Sequence, residues 1–361
     1  MAVQRVAVVG AGTMGAGIAQ LCAQSGFSVK VHDPAPKALE ALSGRLRRGL
    51  DAGVLKGKLT TQAADRAFHA VSPAPALADL AGADLVIEAA PEKLELKQGL
   101  FAELSRLCPD ALLATNTSSL SVAAVTARAA APERTLGIHF FNPPVAMRLV
   151  EMVRAPRTSP EAFSAAWDFV LTGLRRTPVV VKDAPGFIVN RVMRPYYVHA
   201  QRLVGTSGFS AVDGACRALG GVPMGPFELM DLIGLDVNLA ITESLFEALG
   251  RPERFAPPAL QRTLVERGMT GRKAGRGFYL YEDGAPAGEN PEASALTAHG
   301  GAASSPEELW AALRAAVLAE AERVVAEGTA SAADVDTAIK LAMNFPKGPF
   351  EWRKESTAAG R

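Results

Sequence analysis

RVAVVGAGTMGAGIAQLCAQSGFSVKVHD, residues 5–33, packs a strand, a glycine turn, a helix and a second strand into one short unit. The β-branched run at 5–9 enters GAGTMG, where Gly10 permits the tight turn and Gly12 lets the backbone approach a pyrophosphate. Gly15 permits close packing of helix on strand, and Thr13 and Met14 complete the candidate cofactor-binding loop. A bare glycine pattern is a weak signal. The strand before it, the helical GIAQLCAQSG after it and a further strand ending at His32 and Asp33 make it specific. Phosphates sit on the N-terminus of such a helix. Asp33 is placed to accept hydrogen bonds from ribose hydroxyls. Its carboxylate repels a 2′-phosphate, and PAP rather than an arginine follows it, so the expected cofactor is NAD and not NADP.

The same alternation continues outward. Short apolar runs at 28–32, 84–89, 111–115, 135–140 and 178–182 are separated by longer helical patterns. A mainly parallel sheet with helices on both faces is expected, an α/β Rossmann-type dinucleotide-binding domain over 1–184. After KDAPGF (182–187) the β runs stop, and an all-α domain is expected over 185–283, with PGF as the hinge. Residues 284–305, rich in Gly, Ala, Ser and Pro, read as a linker. Beyond it the chain repeats itself. AQRLV (200–204), VD (212–213) and PMGPFE (223–228) return as AERVV (321–325), VD (335–336) and PKGPFE (346–351). Residues 306–361 are therefore read as a partial second copy of the helical domain. So small a copy needs to pack on the first copy or on a partner subunit.

Composition narrows the function classes. Lys plus Arg is 38 against 37 for Asp plus Glu, a net charge of +1, which argues against a general nucleic-acid binder. Any charged ligand is met locally. Cys22, Cys108 and Cys216 are far apart, odd in number and without metal-ligand spacing, so neither a disulfide nor a metal site is expected, and the expected setting is the reducing cytoplasm. The N-terminal segment lacks the long apolar run of a signal peptide, and no run approaches the roughly 18 to 20 residues of a membrane span.

One imidazole stands out in TLGIHFFNPPVAMRLVEMV (135–153): His139, at the end of a late strand of the sheet, where such folds place their ligands. Alone, a histidine in an apolar strand is usually a satisfied core residue. If IHFFNPP turns back into RLVEMV, however, Glu151 returns beside it. A carboxylate on one ring nitrogen fixes the tautomer and stabilises the imidazolium, while the other nitrogen takes a hydroxyl proton.

With VVGAGTMGAGIAQ, VIEAAPEKLELK, TNTSSL, GIHFFNPP with RLVE, and KDAPGFIVNR, the chain resembles the L-3-hydroxyacyl-CoA dehydrogenases, particularly bacterial 3-hydroxybutyryl-CoA dehydrogenases. The five blocks cover the first 190 residues, and the helical stretch to GRGFYLY (275–281) also looks like that family's C-terminal domain. The resemblance implies NAD-dependent oxidation of an acyl-CoA and a homodimer. It implies that His139 is the general base, Glu151 its partner, and Ser118 and Asn190 the residues that hold substrate and histidine. Glu92, Lys97 and Asn116 match positions on the cofactor side. Ser118 equally suits a helix cap, and Glu92 and Lys97 suit solvated helix charges. Arg45, Arg47, Arg48, Lys56 and Lys58 form a basic cluster that suits CoA phosphates or a solvated helix face, with Lys56 and Lys58 the substrate candidates. Two rivals stay open: a related dehydrogenase of L-gulonate or carnitine type, whose substrate carries no CoA, and a dinucleotide-binding protein without turnover.

Overall fold

The computed structural model describes residues 3–205, 207–297 and 303–358. The chain divides into two compact units, Met1–Ala184 and Pro185–Arg361.

The first unit runs β1 (Arg5–Val9), α1 (Thr13–Gln24), β2 (Ser28–His32), α2 (Pro36–Leu55), α3 (Thr61–His69), β3 (Val71–Pro73), β4 (Leu85–Glu88), α4 (Leu94–Leu107), β5 (Leu112–Thr115), α5 (Val122–Val125), β6 (Thr135–Phe140), β7 (Leu149–Arg154), α6 (Pro160–Asp168) and β8 (Thr177–Lys182). The strands form one sheet in the order β3-β2-β1-β4-β5-β6-β7-β8. Every neighbouring pair is parallel except β6 with β7. Strand order reverses at β1, between β2 and β4, and the glycine loop leaves β1 at that switch point, where open α/β sheets bind ligands. β1, β4, β5 and β6 are buried almost throughout, as strands covered on both faces must be. The three-residue edge strand β3 had no signal of its own in the sequence.

The second unit contains α7 (Val189–Val192), α8 (Arg194–Leu203), α9 (Phe209–Gly220), α10 (Pro226–Ile233), α11 (Leu235–Ala248), α12 (Ala259–Glu266), β9 (Tyr279–Glu282), β10 (Ala285–Glu289), α13 (Pro291–Ser294), α14 (Pro306–Ala326), α15 (Ala332–Met343) and α16 (Pro349–Ala358). The repeated GPFE has a local cause. Asp213 accepts the N–H groups of Phe227 and Glu228 at 3.0 Å each, satisfying the first turn of α10. Asp336 does the same for α16 through the N–H of Phe350 at 2.9 Å. Each helix begins so close to its aspartate that a Cβ on Gly225 or Gly348 would stand 2.3 Å from an aspartate atom. Only glycine fits before the proline of either copy. The added helix α14 packs along α8 and α9, burying Leu313 and Val317, and its Trp310 ring occupies the space a Cβ on Gly220 would need.

The linker reading of 284–305 is corrected in its first half. β10 pairs antiparallel with β9, and the buried Asn290 donates to Gly277 O at 2.8 Å while its Oδ1 caps α13. Glu289 accepts from the N–H of Ser210 at 2.7 Å. Small residues make that stretch look flexible, but their backbone groups pair like any others. Residues 298–302 of the same stretch lie outside the described residues.

Candidate active site

Gly10 has φ +108°, and a Cβ there would meet Ala89 O at 2.5 Å, while one on Gly15 would meet Gly10 O at 1.8 Å. These two glycines are required by the fold. Gly12 differs: a Cβ would find no protein atom within 4 Å, so its side faces open space. Gly12 caps α1 without a side-chain hydrogen bond, which leaves the first helical amides pointing at a ligand position. Asp33 accepts the N–H of Ala11 at 2.8 Å and of Ala35 at 2.9 Å, which fixes its carboxylate beside the loop with acceptor capacity left for ribose hydroxyls. The chain therefore fits a dinucleotide with its pyrophosphate over Gly12.

β6 and β7 set His139 directly opposite Glu151 in the antiparallel register. Facing residues of such a pair share one side of the sheet. His139 Nδ1 lies 2.7 Å from Glu151 Oε2, both side chains are buried, and the imidazole ring packs 4.6 Å from that of Phe141. The turn back through the FFNPP segment is thus made as the sequence required.

Asn116, at the end of β5, accepts the N–H of Phe140 at 2.8 Å through Oδ1, tying β5 to the strand end that holds the histidine. Glu92 organises the loop after β5. Its Oε1 accepts from the Thr117 hydroxyl, from the N–H groups of Ser118 and Ser119 at 3.1 and 3.2 Å, and from the Ser119 hydroxyl at 3.0 Å. Burial works to raise the Glu92 carboxyl, but the Lys97 charge and these hydroxyls together hold it below the usual glutamate range. Ser118 is half-buried in this loop and does not cap α5, a role taken by Ser121, which accepts from the N–H of Ala124 at 3.2 Å.

The reading of Lys97 as a solvated helix charge is corrected: its side chain is 1% exposed. Its ammonium reaches Glu88 Oε1 at 2.6 Å, Ala90 O at 3.2 Å and Glu92 Oε2 at 3.2 Å, so each of its three protons has a protein acceptor. Lys97 supports the loop that Glu92 organises. Glu88, which the sequence did not single out, is its fully buried partner and also accepts from the Thr115 hydroxyl and the N–H of Ala90, at 2.7 Å each.

The basic cluster divides. Arg45 donates to Ala11 O of the glycine loop at 2.5 Å, and Arg47 pairs with Asp65 at 2.8 Å and lies over the Phe68 ring. Arg48, Lys56 and Lys58 are exposed, the two lysines on the turn after α2. Asn190 lies in the second unit, half-buried on α7. Among the described residues no group of His, Cys, Asp and Glu could hold a metal ion.

A glycine-rich strand–turn–helix loop with a carboxylate beside it, in one unit with a buried histidine–carboxylate pair, is the arrangement that a nicotinamide-dependent dehydrogenase needs. The NAD-binding domain of the 3-hydroxyacyl-CoA dehydrogenases matches residues 5–184, and the C-terminal domain of that family matches 186–281 and 311–359. The chain is 45% identical over 280 residues to a 3-hydroxyadipyl-CoA dehydrogenase of Escherichia coli (strain K12), covering 77% of this chain and 59% of that one. It is 42% identical over 285 residues to a 3-hydroxybutyryl-CoA dehydrogenase of Mycobacterium tuberculosis, covering 78% and 99%. The crystal structure of a 3-hydroxybutyryl-CoA dehydrogenase from Escherichia coli K12 superposes with a TM-score of 0.89 at 34% identity, covering 98% of this chain and 92% of that one. The chain belongs to the 3-hydroxyacyl-CoA dehydrogenase family, as an NAD-dependent oxidoreductase.

Proposed function

We propose that the chain catalyses the reversible oxidation of short-chain L-3-hydroxyacyl-CoA thioesters to 3-ketoacyl-CoA, with His139 as the general acid–base. The observation that supports this most is the 2.7 Å contact between His139 Nδ1 and Glu151 Oε2 inside a buried strand pair. Held there, the imidazole presents Nε2 to the C3 hydroxyl and takes its proton; in the reverse direction the imidazolium returns it to the developing alkoxide. Glu151 stabilises the imidazolium and fixes the tautomer. NAD, when bound, would supply the acceptor for the C3 hydride. Gly10, Gly12, Thr13, Met14, Gly15 and Asp33 hold it, with Glu92 and Asn116 shaping the neighbouring loop and Lys97 acting through Glu92. Ser118 and Asn190 orient the hydroxyl and the thioester carbonyl, a contribution of geometry rather than charge. Lys56 and Lys58, exposed on their turn, suit the CoA phosphates.

The helical unit is proposed to form a homodimer, on the strength of Leu232, Ile233 and Val237, which are 46, 39 and 49% exposed around the α10–α11 corner. A cytoplasmic setting fits three buried free cysteines, and among the described residues no helix is long and apolar enough to cross a membrane. The deciding experiment follows NADH absorbance with acetoacetyl-CoA, 3-hydroxyadipyl-CoA, L-gulonate and carnitine. Turnover is expected with the CoA thioesters; a preference for L-gulonate or carnitine would overturn the substrate class.

A further inference from the structure

Within the second unit, α8 and α14 enclose a cavity of about 210 Å³ whose polar lining is His199, Arg202, Arg254 and Arg323, with no carboxylate among the lining residues. The carboxylates stand behind or outside it. Glu320, fully buried, receives Arg191 Nε at 2.9 Å, Arg254 Nε at 2.5 Å and Arg323 Nη1 at 3.5 Å. Glu327 takes the other face of Arg191, through Nη1 at 2.7 Å and Nη2 at 2.8 Å. Arg202 bonds Glu253 at 2.9 Å and its carbonyl at 2.7 Å. Four guanidinium groups (Arg191, Arg202, Arg254, Arg323) thus meet three carboxylates (Glu253, Glu320, Glu327), and one positive charge is left uncompensated at a concave surface.

The ion pairs do not exhaust the donors. A guanidinium carries five N–H groups, and those of Arg202, Arg254 and Arg323 used in these pairs are a minority. The pairs also hold the three side chains in place, so little ordering is left for a ligand to impose. The cavity is too large for a bare halide, and arginine's planar fork matches the oxygens of a phosphate group. Its walls come from both helical copies, so it exists only because the chain continues past the first.

We propose that the α8–α14 cavity of the second unit is a binding site for a phosphate dianion, free or esterified. His199, on the wall, reports occupancy: burial and the Arg202 charge push its imidazole below the usual histidine range, and a dianion opposite would pull it back up. Arg202, Arg254 and Arg323, with Glu320 and Glu253 behind them, are the charged groups around it.

The test uses the full chain saturated with NADH, so that the dinucleotide site is filled. Inorganic phosphate and glycerol 3-phosphate are titrated by calorimetry, and the His199 ring is followed by NMR against pH. Saturable binding of either probe is expected, with a rise of about half a unit to one unit in the His199 midpoint. Arg202→Ala and Arg323→Ala, both of exposed side chains, should each weaken binding roughly 3- to 10-fold. Arg262→Ala, whose pair with Glu243 lies outside the cavity, should leave it unchanged. Both probes binding marks recognition of the phosphate group itself, and phosphate alone marks a free-ion site. A response matched by chloride at equal ionic strength, or equal losses in Arg262→Ala, would overturn the proposal.

Discussion

The first unit buries two nitrogen–carboxylate contacts of nearly equal length, Lys97–Glu88 at 2.6 Å and His139–Glu151 at 2.7 Å. Their surroundings differ. Around Lys97 every ammonium proton has an acceptor, and Glu88 takes a hydroxyl and an amide besides. Such a closed network braces the loops after β4 and β5. At His139 the Glu151 carboxylate holds Nδ1 and the Phe141 ring packs alongside. Imidazole is also the side chain that exchanges protons readily near neutral pH. Similar distances thus serve a brace in one place and, on the proposed function, proton transfer in the other, and what separates them is the chemistry of the nitrogen group, an ammonium in one and an imidazole in the other.

The brace gives the largest expected effect on stability. Lys97→Met strands Glu88 in the interior, and losing one partner of a buried pair costs about 3–5 kcal/mol. Denaturant unfolding should show it, and adding Glu88→Gln should recover much of the loss. A single variant within about 1 kcal/mol of wild type would mean that Glu88 is compensated by its neutral donors alone.

Glu151→Gln probes the other pair. It keeps the shape and removes the charge that stabilises imidazolium, so turnover should drop roughly 100-fold with little change in melting. If melting falls as far as in Lys97→Met while turnover per folded molecule stays high, the two pairs are the same kind of brace.

Asp33 is a third kind of carboxylate, held among the described residues by backbone N–H groups rather than by an ion pair. On the proposed function Asp33→Ala removes a charged hydrogen bond to a ribose worth about 1.5–3 kcal/mol, so NADH affinity should fall roughly 10- to 100-fold, and NADPH affinity less. Fluorescence titration of both cofactors measures it; an equal loss for both would remove Asp33 from the specificity account.

Asp213 is buried, and among the described residues its carboxylate is held by N–H and O–H donors rather than by a direct ion pair. Burial pushes its carboxyl up to about 7, against the N–H groups of Phe227 and Glu228 and the Tyr279 hydroxyl that favour the ionised form. In the unfolded chain the group returns to its ordinary value of 3.8. The folded state therefore holds an extra proton between those values, and the stability Asp213 contributes is present below 3.8 and lost as pH rises through about 7. Melting of wild type relative to Asp213→Asn should decline by a few degrees across that window. A difference independent of pH would show that the donors, not burial, set the carboxyl.

The legible parts of the molecule are those with a local rule. The glycine loop and Asp33 follow from strand, turn and helix in sequence, and the β6–β7 return follows from two apolar runs either side of FFNPP. The helical repeat was readable because GPFE recurs after VD, and its geometry explains why glycine and aspartate recur together. Glu88 was not readable. An acidic residue at a strand end looks half-solvated until the helix that brings Lys97 over it is known. The 284–297 stretch misled for the opposite reason: its small residues say nothing about which backbone will pair with theirs.

The central claim is that His139 moves the proton while the glycine loop independently binds the cofactor. His139→Ala, assayed in one preparation for acetoacetyl-CoA reduction, NADH binding by fluorescence and thermal melting, tests it directly. Turnover should fall by roughly 10² to 10⁴ while NADH binding and melting stay near wild type. Near-normal turnover in that folded variant would contradict the account and leave His139 and Glu151 as a buried structural contact.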